Sequence, residues 1–335
     1  MSEYHIPVLL AESISALVTN PDGTYADATF GGGGHTAAIL SRLNGDGRVI
    51  AFDRDIDAIE GALKDPRLTL IHNNFRFIEN YAEQLWREDR SASEGVAERR
   101  GIIGGSAPLN EVKAIGHEVF DGILADLGVS SHQFDTAERG FSFRFEDAPL
   151  DMRMNREARL NAQEVVNSYP EEDLERVLRL YGEVDGARNM ARLIGEARAQ
   201  AEIRTTGDLD RAIARMLPRG AEHKVLAKVY QALRIEVNQE MRSLEKFLEG
   251  ATRSLKAGGR LVVITYHSLE DRMVKNFIKT GNVEGKVEEN IYGKVQSPLE
   301  AVNRKPVLPA EEEIAANTRA RSAKLRIAER RMGDE

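Results

Sequence analysis

Apolar and polar positions along the chain alternate between short apolar runs and longer segments of helical periodicity. A parallel sheet covered by helices produces this alternation, because its strands are buried on both faces and each helix on only one. We therefore predict an α/β fold built on a parallel sheet. The expected strands span residues 24–28, 48–52, 68–72, 120–127 and 260–266.

The long interval between the fourth and fifth strands is filled by helical patterns. Apolar residues recur at i, i+3, i+4 and i+7 in residues 174–181, 190–197 and 209–216, so each segment has one apolar face. Residues 224–255 predict one long helix, or two with a break, before a glycine-rich stop. The interval is therefore an inserted helical module.

The chain accordingly divides into two domains, one of them discontinuous. Residues 1–140 and 231–335 form the first and second parts of the sheet domain, and residues 141–230 form an inserted domain expected to recognise the substrate. Residues 86–118 are charged and rich in Gly, Ser and Ala, which indicates a flexible surface excursion.

Composition narrows the chemistry that this chain can perform. The 335 residues contain no cysteine, which excludes disulfides, thiolate metal sites and a cysteine nucleophile. The seven histidines show no ligand spacing, so we expect no metal. The chain has neither a signal-peptide pattern nor a run of ~18 apolar residues, so we expect a cytoplasmic protein without membrane contact.

The net charge of the chain is -8, which by itself argues mildly against nucleic-acid binding. The final segment, residues 319–331, is instead rich in basic residues. This segment is either a solvated basic face or an RNA contact. Residues 323–328 within it are also expected to pair with residues 286–289 as antiparallel strands. Its basic residues are Arg319, Arg321, Lys324, Arg326, Arg330 and Arg331.

Four glycines, residues 31–34, follow the first predicted strand and lead into a helix. Glycine permits unusual backbone angles and lets a ligand lie against the main chain. Asp53 ends the second strand about 20 residues downstream, where a carboxylate accepts from ribose hydroxyls. A nucleoside-bearing ligand is predicted. Gly32, Gly34 and Ala37 also satisfy a loose dinucleotide fingerprint, which leaves an NAD-dependent oxidoreductase open.

Polar residues also follow the fourth and fifth strands. Asp126 precedes Gly128 and two serines, and His267 begins a polar run after the fifth strand. Since open α/β sheets bind ligands at the carboxyl ends of their strands, we expect these groups to converge.

Eight segments along the chain, in order, resemble the bacterial 16S ribosomal RNA (cytosine-N4)-methyltransferase family. That family has a class I (Rossmann-like) S-adenosylmethionine-dependent methyltransferase sheet with an inserted helical domain. The matching segments are residues 5–9, 29–35, 51–55, 126–131, 138–143, 149–154, 267–272 and 320–326.

The resemblance implies methyl transfer from S-adenosylmethionine to the exocyclic N4 of a cytidine in 16S rRNA, in the decoding region of the small ribosomal subunit. It also implies a set of cofactor-binding residues. These are Gly33, Gly34, His35, Asp53, Phe75, Asp126 and Gln133.

Methyl transfer requires alignment of donor and acceptor rather than a covalent enzyme nucleophile. Asp126 or a nearby backbone carbonyl is the candidate to accept the amino protons of cytosine. His267 is a second candidate, for orienting the cytosine or shuttling a proton. A base in folded RNA must be extruded to react, and one cluster in the insert is either its pocket or a packed hinge. The cluster comprises Phe141, Phe143, Arg144, Asp151, Met152 and Arg153.

Two further questions stay open at this stage. A non-catalytic RNA-binding assembly factor could keep the same fold, because fold alone does not define function. The sequence also leaves open whether the chain forms a homodimer.

Overall fold

The computed structural model describes residues 7–60, 62–93, 117–289, 295 and 297–332. The chain divides into two compact units, one of Met1–Gly128 with Arg242–Glu335 and the other of Val129–Met241. These boundaries differ from the predicted 140/141 and 230/231. Val129 and Phe134 pack onto the core of the helical unit, and a single helix continues past residue 230 to Asn238.

One seven-stranded sheet organises the first unit, in the order β3-β2-β1-β4-β5-β7-β6. Strands β1 to β5 are parallel, whereas β7 runs antiparallel to both β5 and β6. The strands are β1 Thr24–Asp27, β2 Arg48–Asp53, β3 Leu68–His72, β4 Phe120–Asp126, β5 Leu255–Thr265, β6 Leu299–Ala301 and β7 Lys324–Arg330.

Thirteen α-helices lie in the described part of the chain, several short 3₁₀ turns aside. They are α1 Leu10–Leu17, α2 Gly34–Arg42, α3 Ile56–Glu60, α4 Ile78–Ser93, α5 Ser131–Asp135, α6 Ala162–Ser168, α7 Glu171–Gly182, α8 Ala187–Gln200, α9 Thr206–Ile213, α10 Glu222–Asn238, α11 Glu240–Ser254, α12 Ser268–Thr280 and α13 Glu311–Ala316. None of these described helices combines the length and apolar character of a membrane span.

Both faces of the sheet are buried, as the apolar runs predicted. Adjacent residues of one strand belong to different cores: Tyr25 lies in one and Ala26 in the other. Side chains of a strand alternate between its two faces, so a single strand supplies residues to both cores. This burial holds the strand ends, and the turns that follow them, in fixed positions.

The five predicted parallel strands are confirmed, but the fifth begins earlier than expected. Leu255 already pairs with Phe120, and a register shift follows before Gly122 pairs with Arg260. The glycines predicted to stop the preceding helix therefore lie inside β5. Gly258 has φ +76°, a left-handed angle that suits glycine and accommodates the irregularity.

The terminal strand pair was predicted with the wrong partner. Strand β7 pairs with β5 and β6, whereas Glu289 forms an isolated bridge with Val295. The predicted surface excursion also began too early, because α4 continues to Ser93. Residues 94–116 of that excursion lie outside the described residues.

The helical unit confirms the three apolar stripes as α7, α8 and α9, whose apolar faces form one core. Thr205 caps α9 and forms a capping box with Asp208. The predicted long segment is two helices, α10 and α11, separated at Gln239, which has φ +49°.

Candidate cofactor and active site

The strand order of the sheet reverses between β1 and β4. From β1 the chain moves outward to β2 and β3, then returns to β4 on the other side of β1. Ligands of open α/β sheets bind at such a switch point, outside the carboxyl ends of the strands. The glycine turn, Asp53 and Asp126 all follow strands at this edge.

The glycine turn leaves β1 with two left-handed residues, Gly31 at φ +51° and Gly33 at φ +75°. A Cβ added to Gly33 would lie 2.9 Å from the Phe30 ring, and one added to Gly34 would lie 2.3 Å from Pro7. Gly32 is different, because a Cβ there would meet no atom within 4 Å. The exposed main chain of Gly32 is therefore open to a ligand.

Asp53 links the end of β2 to this turn. Its Oδ2 accepts a 2.8 Å hydrogen bond from the amide of Gly31, and its Oδ1 accepts one of 2.8 Å from the amide of Asp55. Burial raises the pKa of the half-buried Asp53 carboxyl above its ordinary value. A carboxylate oxygen carries two lone pairs, so each oxygen keeps one acceptor site for a ribose hydroxyl.

Asp126 ends β4, where two hydrogen bonds hold it and His35 lies nearby. Its amide donates to Oγ1 of Thr29 at 2.7 Å, and its Oδ1 accepts a 2.7 Å hydrogen bond from the Tyr266 hydroxyl. Its Oδ2 lies 3.7 Å from Nδ1 of His35, beyond hydrogen-bonding distance. Burial raises the pKa of Asp126 to about 6, opposed by His35 and Tyr266.

His35 lies at the start of α2 and is only 4% exposed. Within the described residues, its buried Nε2 has no hydrogen-bond partner. A buried polar atom without a partner costs roughly 1–3 kcal/mol. The site therefore holds an orphaned nitrogen that a polar ligand group would satisfy.

Asp27 is a site residue to which sequence reasoning assigned no role. It is fully buried at the end of β1, and its carboxylate accepts from the Thr29 amide at 3.1 Å and from Oγ1 of Thr36 at 2.7 Å. Burial raises the pKa of this carboxyl. Its position directly before the glycine turn was the available signal.

Phe75 lies in a 3₁₀ turn that follows β3. Its half-buried ring packs edge-to-face on Phe247, with the ring centroids 5.2 Å apart. The Phe75 ring therefore packs against the core on one side. Its contact with adenine stays a prediction.

His267 has a local role that its sequence position did not reveal. Its Nδ1 accepts from the Glu270 amide at 3.4 Å and so caps α12, while its Nε2 lies 3.1 Å from Oε1 of Glu270. Glu270 is 2% exposed, and its Oε2 accepts from the Tyr266 amide at 2.9 Å. Sequence reasoning assigned no role to Tyr266, because its hydroxyl contacts Asp126 of another strand, 140 positions away.

The other predicted site residues belong to the helical unit. Gln133 is buried and completes a capping box with Ser130 at the start of α5. Phe141 and Met152 are enclosed in the helical core, and Phe143 packs edge-to-face on Tyr230 at 5.5 Å.

The charged members of the predicted pocket are engaged within the same unit. Arg153 makes hydrogen bonds to both oxygens of Asp151 and to the carbonyl of Ala158. Arg144 pairs with Asp135 at 2.9 Å and lies over the Phe134 ring. The substrate-binding roles of these residues stay predictions.

The basic segment at the end of the chain is partly neutralised. Asp271 accepts from Nε of Arg326 at 2.6 Å and lies 3.5 Å from Nζ of Lys324. These pairs lower the pKa of Asp271, although burial opposes the shift. Arg321 is exposed.

Comparison with known proteins identifies the chain. The fold is that of a Rossmann-like, S-adenosylmethionine-dependent methyltransferase. A model of the MraW methylase family matches residues 2–331. The chain belongs to the MraW methylase family.

Its relatives match along nearly their whole length. Ribosomal RNA small subunit methyltransferase H of Bacteroides fragilis (strain YCH46) is 51% identical, over 98% of this chain and 98% of the relative. The protein of the same name from Bacteroides thetaiotaomicron is 50% identical over the same shares. Among solved structures, the chain is similar to an S-adenosylmethionine-dependent O-methyltransferase from Thermotoga maritima. The alignment covers 100% of this chain and 69% of the Thermotoga maritima chain, with 9% identity and a TM-score of 0.38.

Proposed function

We propose that this protein transfers a methyl group from S-adenosylmethionine to the exocyclic N4 of a cytidine in 16S rRNA, in the decoding region of the small ribosomal subunit. Its relatives at 45–51% identity are named ribosomal RNA small subunit methyltransferase H, which supports the substrate class. The observation that carries the proposal is the placement of Asp53 and Asp126 at the carboxyl ends of β2 and β4, beside the glycine turn.

The residues at this edge fit the cofactor. Gly33, Gly34 and His35 shape the turn, the exposed Gly32 leaves room along the main chain, and Asp53 retains acceptor sites for a ribose. The orphaned Nε2 of His35 supplies a further polar contact. In our proposal Phe75 covers the adenine and Gln133 completes the site. Bound S-adenosylmethionine supplies a methyl group activated by a positively charged sulfonium.

Asp126 is the proposed catalytic residue. Among the described residues, its Oδ2 has no hydrogen-bond donor, whereas Oδ1 is occupied by Tyr266. An acceptor at Oδ2 would hold an amino proton of cytosine and orient the nitrogen lone pair towards the methyl donor. The carboxylate is charged above its pKa of about 6 and is therefore an acceptor at neutral pH. His267 remains the second candidate.

The helical unit is the proposed substrate domain. A base within folded RNA must leave its stack to reach the donor, and aromatic and arginine side chains are suited to receive it. Arg144 is exposed and Phe143 is half-buried, whereas Phe141 and Met152 lie in the core of the unit. Asp151 and Arg153 form an ion pair with each other, which stabilises the loop at residues 151–154.

The natural substrate in this proposal is the 16S rRNA within the small ribosomal subunit, in the cytoplasm. The test is methyl transfer from labelled S-adenosylmethionine to subunits that lack the modification, followed by mass analysis of the nucleosides. Wild-type protein is expected to produce N4-methylcytidine and Asp126→Ala none.

Other outcomes of the same experiment would redirect the proposal. Label on another nucleoside would move the target, and no label on any RNA would leave a binding factor that keeps the fold. An Asp65→Ala variant controls for the loss of a surface carboxylate, because Asp65 pairs with Arg67 away from the site.

A further inference from the structure

Tyr266 follows β5, and its side chain reaches the end of the neighbouring strand. Asp126 of β4 pairs in register with Ile264 of β5, so Tyr266 extends two residues beyond that pair. The Tyr266 hydroxyl donates a 2.7 Å hydrogen bond to Oδ1 of Asp126, 140 positions away in sequence. A hydrogen bond to a charged acceptor is among the stronger ones in proteins.

The ring that carries this hydroxyl is held at its base. The amide of Tyr266 donates to Oε2 of Glu270, a carboxylate that is 2% exposed in the first turn of α12. The ring also lies along the backbone of Gly128, where an added Cβ would be 3.4 Å from Cδ2 of Tyr266. Gly128 has φ +103°, a backbone angle that favours glycine.

We infer that Tyr266 is a positioning residue of the proposed methyl-transfer site: its hydroxyl occupies Oδ1 of Asp126, so that Oδ2 is the oxygen left to accept from the substrate. The inference rests on the proposed function, because it assigns Asp126 the acceptor role. One oxygen bound and one free is the arrangement that fixes the orientation of a carboxylate while keeping it able to accept.

The same hydrogen bond acts on the charge of Asp126. Burial raises the pKa of Tyr266, so the phenol stays protonated and always donates. Its hydrogen bond lowers the pKa of Asp126, against the burial that raises it. Within the described part of the chain, the other titratable groups that act on Asp126 are His35 of α2, which also lowers this pKa, and Asp27 of β1 and Glu270 of α12, which raise it.

The test compares Tyr266→Phe with wild type by ¹³C NMR titration of the aspartate carboxyl carbons, with Asp126→Asn to assign the resonance. Phenylalanine keeps the ring on Gly128 and removes only the hydroxyl. We expect the titration midpoint of Asp126 to rise by roughly one pH unit, as loss of a hydrogen bond to a charged group requires. The acidic limb of the kcat profile for methyl transfer should move by the same amount, with activity recovered at higher pH.

Tyr25→Phe is the matched control. Tyr25 is fully buried, and its hydroxyl donates to the carbonyl of Asn20 at 2.8 Å, at the amino end of β1. This variant should leave the Asp126 midpoint unchanged. An unchanged midpoint in Tyr266→Phe would overturn the inference even if methyl transfer by the wild type is confirmed. If the wild type transfers no methyl group, the proposed function fails, while the midpoints still decide the role of Tyr266.

Discussion

The amide of Gly31 donates a 2.8 Å hydrogen bond to Oδ2 of Asp53, which joins the glycine turn after β1 to the end of β2. A second hydrogen bond joins the residues just before these two: the amide of Phe30 donates to the carbonyl of Phe52 at 2.8 Å. Two neighbouring strand ends are thereby locked together. Asp53, the acidic residue that we propose binds the ribose, therefore also shapes the glycine turn.

We predict that Asp53→Asn weakens binding of S-adenosylmethionine at least about tenfold, the loss expected when a charged acceptor is replaced. The asparagine NH₂ would also face one of two amide donors, those of Gly31 and Asp55, so the turn would be less well ordered. Isothermal titration calorimetry measures the change. Asp65→Asn serves as control, and an equal loss of affinity in both variants would contradict the prediction.

Ionisation of Asp126 should affect activity and stability in opposite directions as the pH rises: methyl transfer should increase and the free energy of unfolding should decrease. Methyl transfer should fall as the pH drops through about 6, because the protonated carboxyl no longer accepts from the substrate. A raised pKa means that the folded state binds the proton more tightly than the unfolded chain does. Folding is therefore favoured at low pH, and that contribution is lost as the pH rises from about 4 to 6.

Asp126→Asn should accordingly be more stable than wild type at pH 8, by up to ~3 kcal/mol, and at least about 100-fold less active. Urea unfolding at pH 8 and pH 4.5, together with the methyl-transfer assay, separates the two effects. A variant that is destabilised equally at both pH values would show that burial does not penalise this carboxylate.

The glycine turn offers a pair of variants one residue apart. Gly33→Ala should destabilise the fold by about 1–3 kcal/mol, because an L residue is strained at φ +75° and its Cβ would lie 2.9 Å from Phe30. Gly32→Ala meets no atom within 4 Å and should fold as stably as wild type. Thermal unfolding compares them. Gly32→Ala should instead weaken cofactor binding, and unchanged affinity would place the ligand elsewhere.

Asn238 of α10 is predicted to stabilise the loop of the helical unit that contains residues 151–154. Its amide nitrogen donates to the carbonyl of Met152 at 2.7 Å, and its Oδ1 accepts from the amide of Met154 at 2.8 Å. Met152 is fully buried at φ +59°, an uncommon backbone angle for a side chain of its size. Both backbone groups would lose their partner in Asn238→Ala.

The expected cost of Asn238→Ala is about 2–4 kcal/mol, since two buried backbone groups would be left unpaired. Denaturant unfolding measures it, with Asn189→Ala as the control, because the Asn189 side chain is exposed on α8. Equal stability of the two variants would mean that water replaces Asn238 as the hydrogen-bond partner of the Met152 carbonyl and the Met154 amide.

The sequence by itself determined the elements of the fold, because strand and helix periodicity are local properties. The five parallel strands and the apolar stripes of α7, α8 and α9 were all predicted. Asp53 was also within reach, since its spacing from the glycine turn follows from the length of one strand–helix–strand unit.

Only the tertiary structure decided which distant residues meet. The hydrogen bond from Tyr266 to Asp126, the ion pair of Arg326 with Asp271 and the pairing of β7 with β6 each join separate elements. Hydrophobic periodicity shows that a strand is buried but not which strand lies beside it. The order of strands in the sheet brings Tyr266 over Asp126, and that order follows from packing of the whole chain.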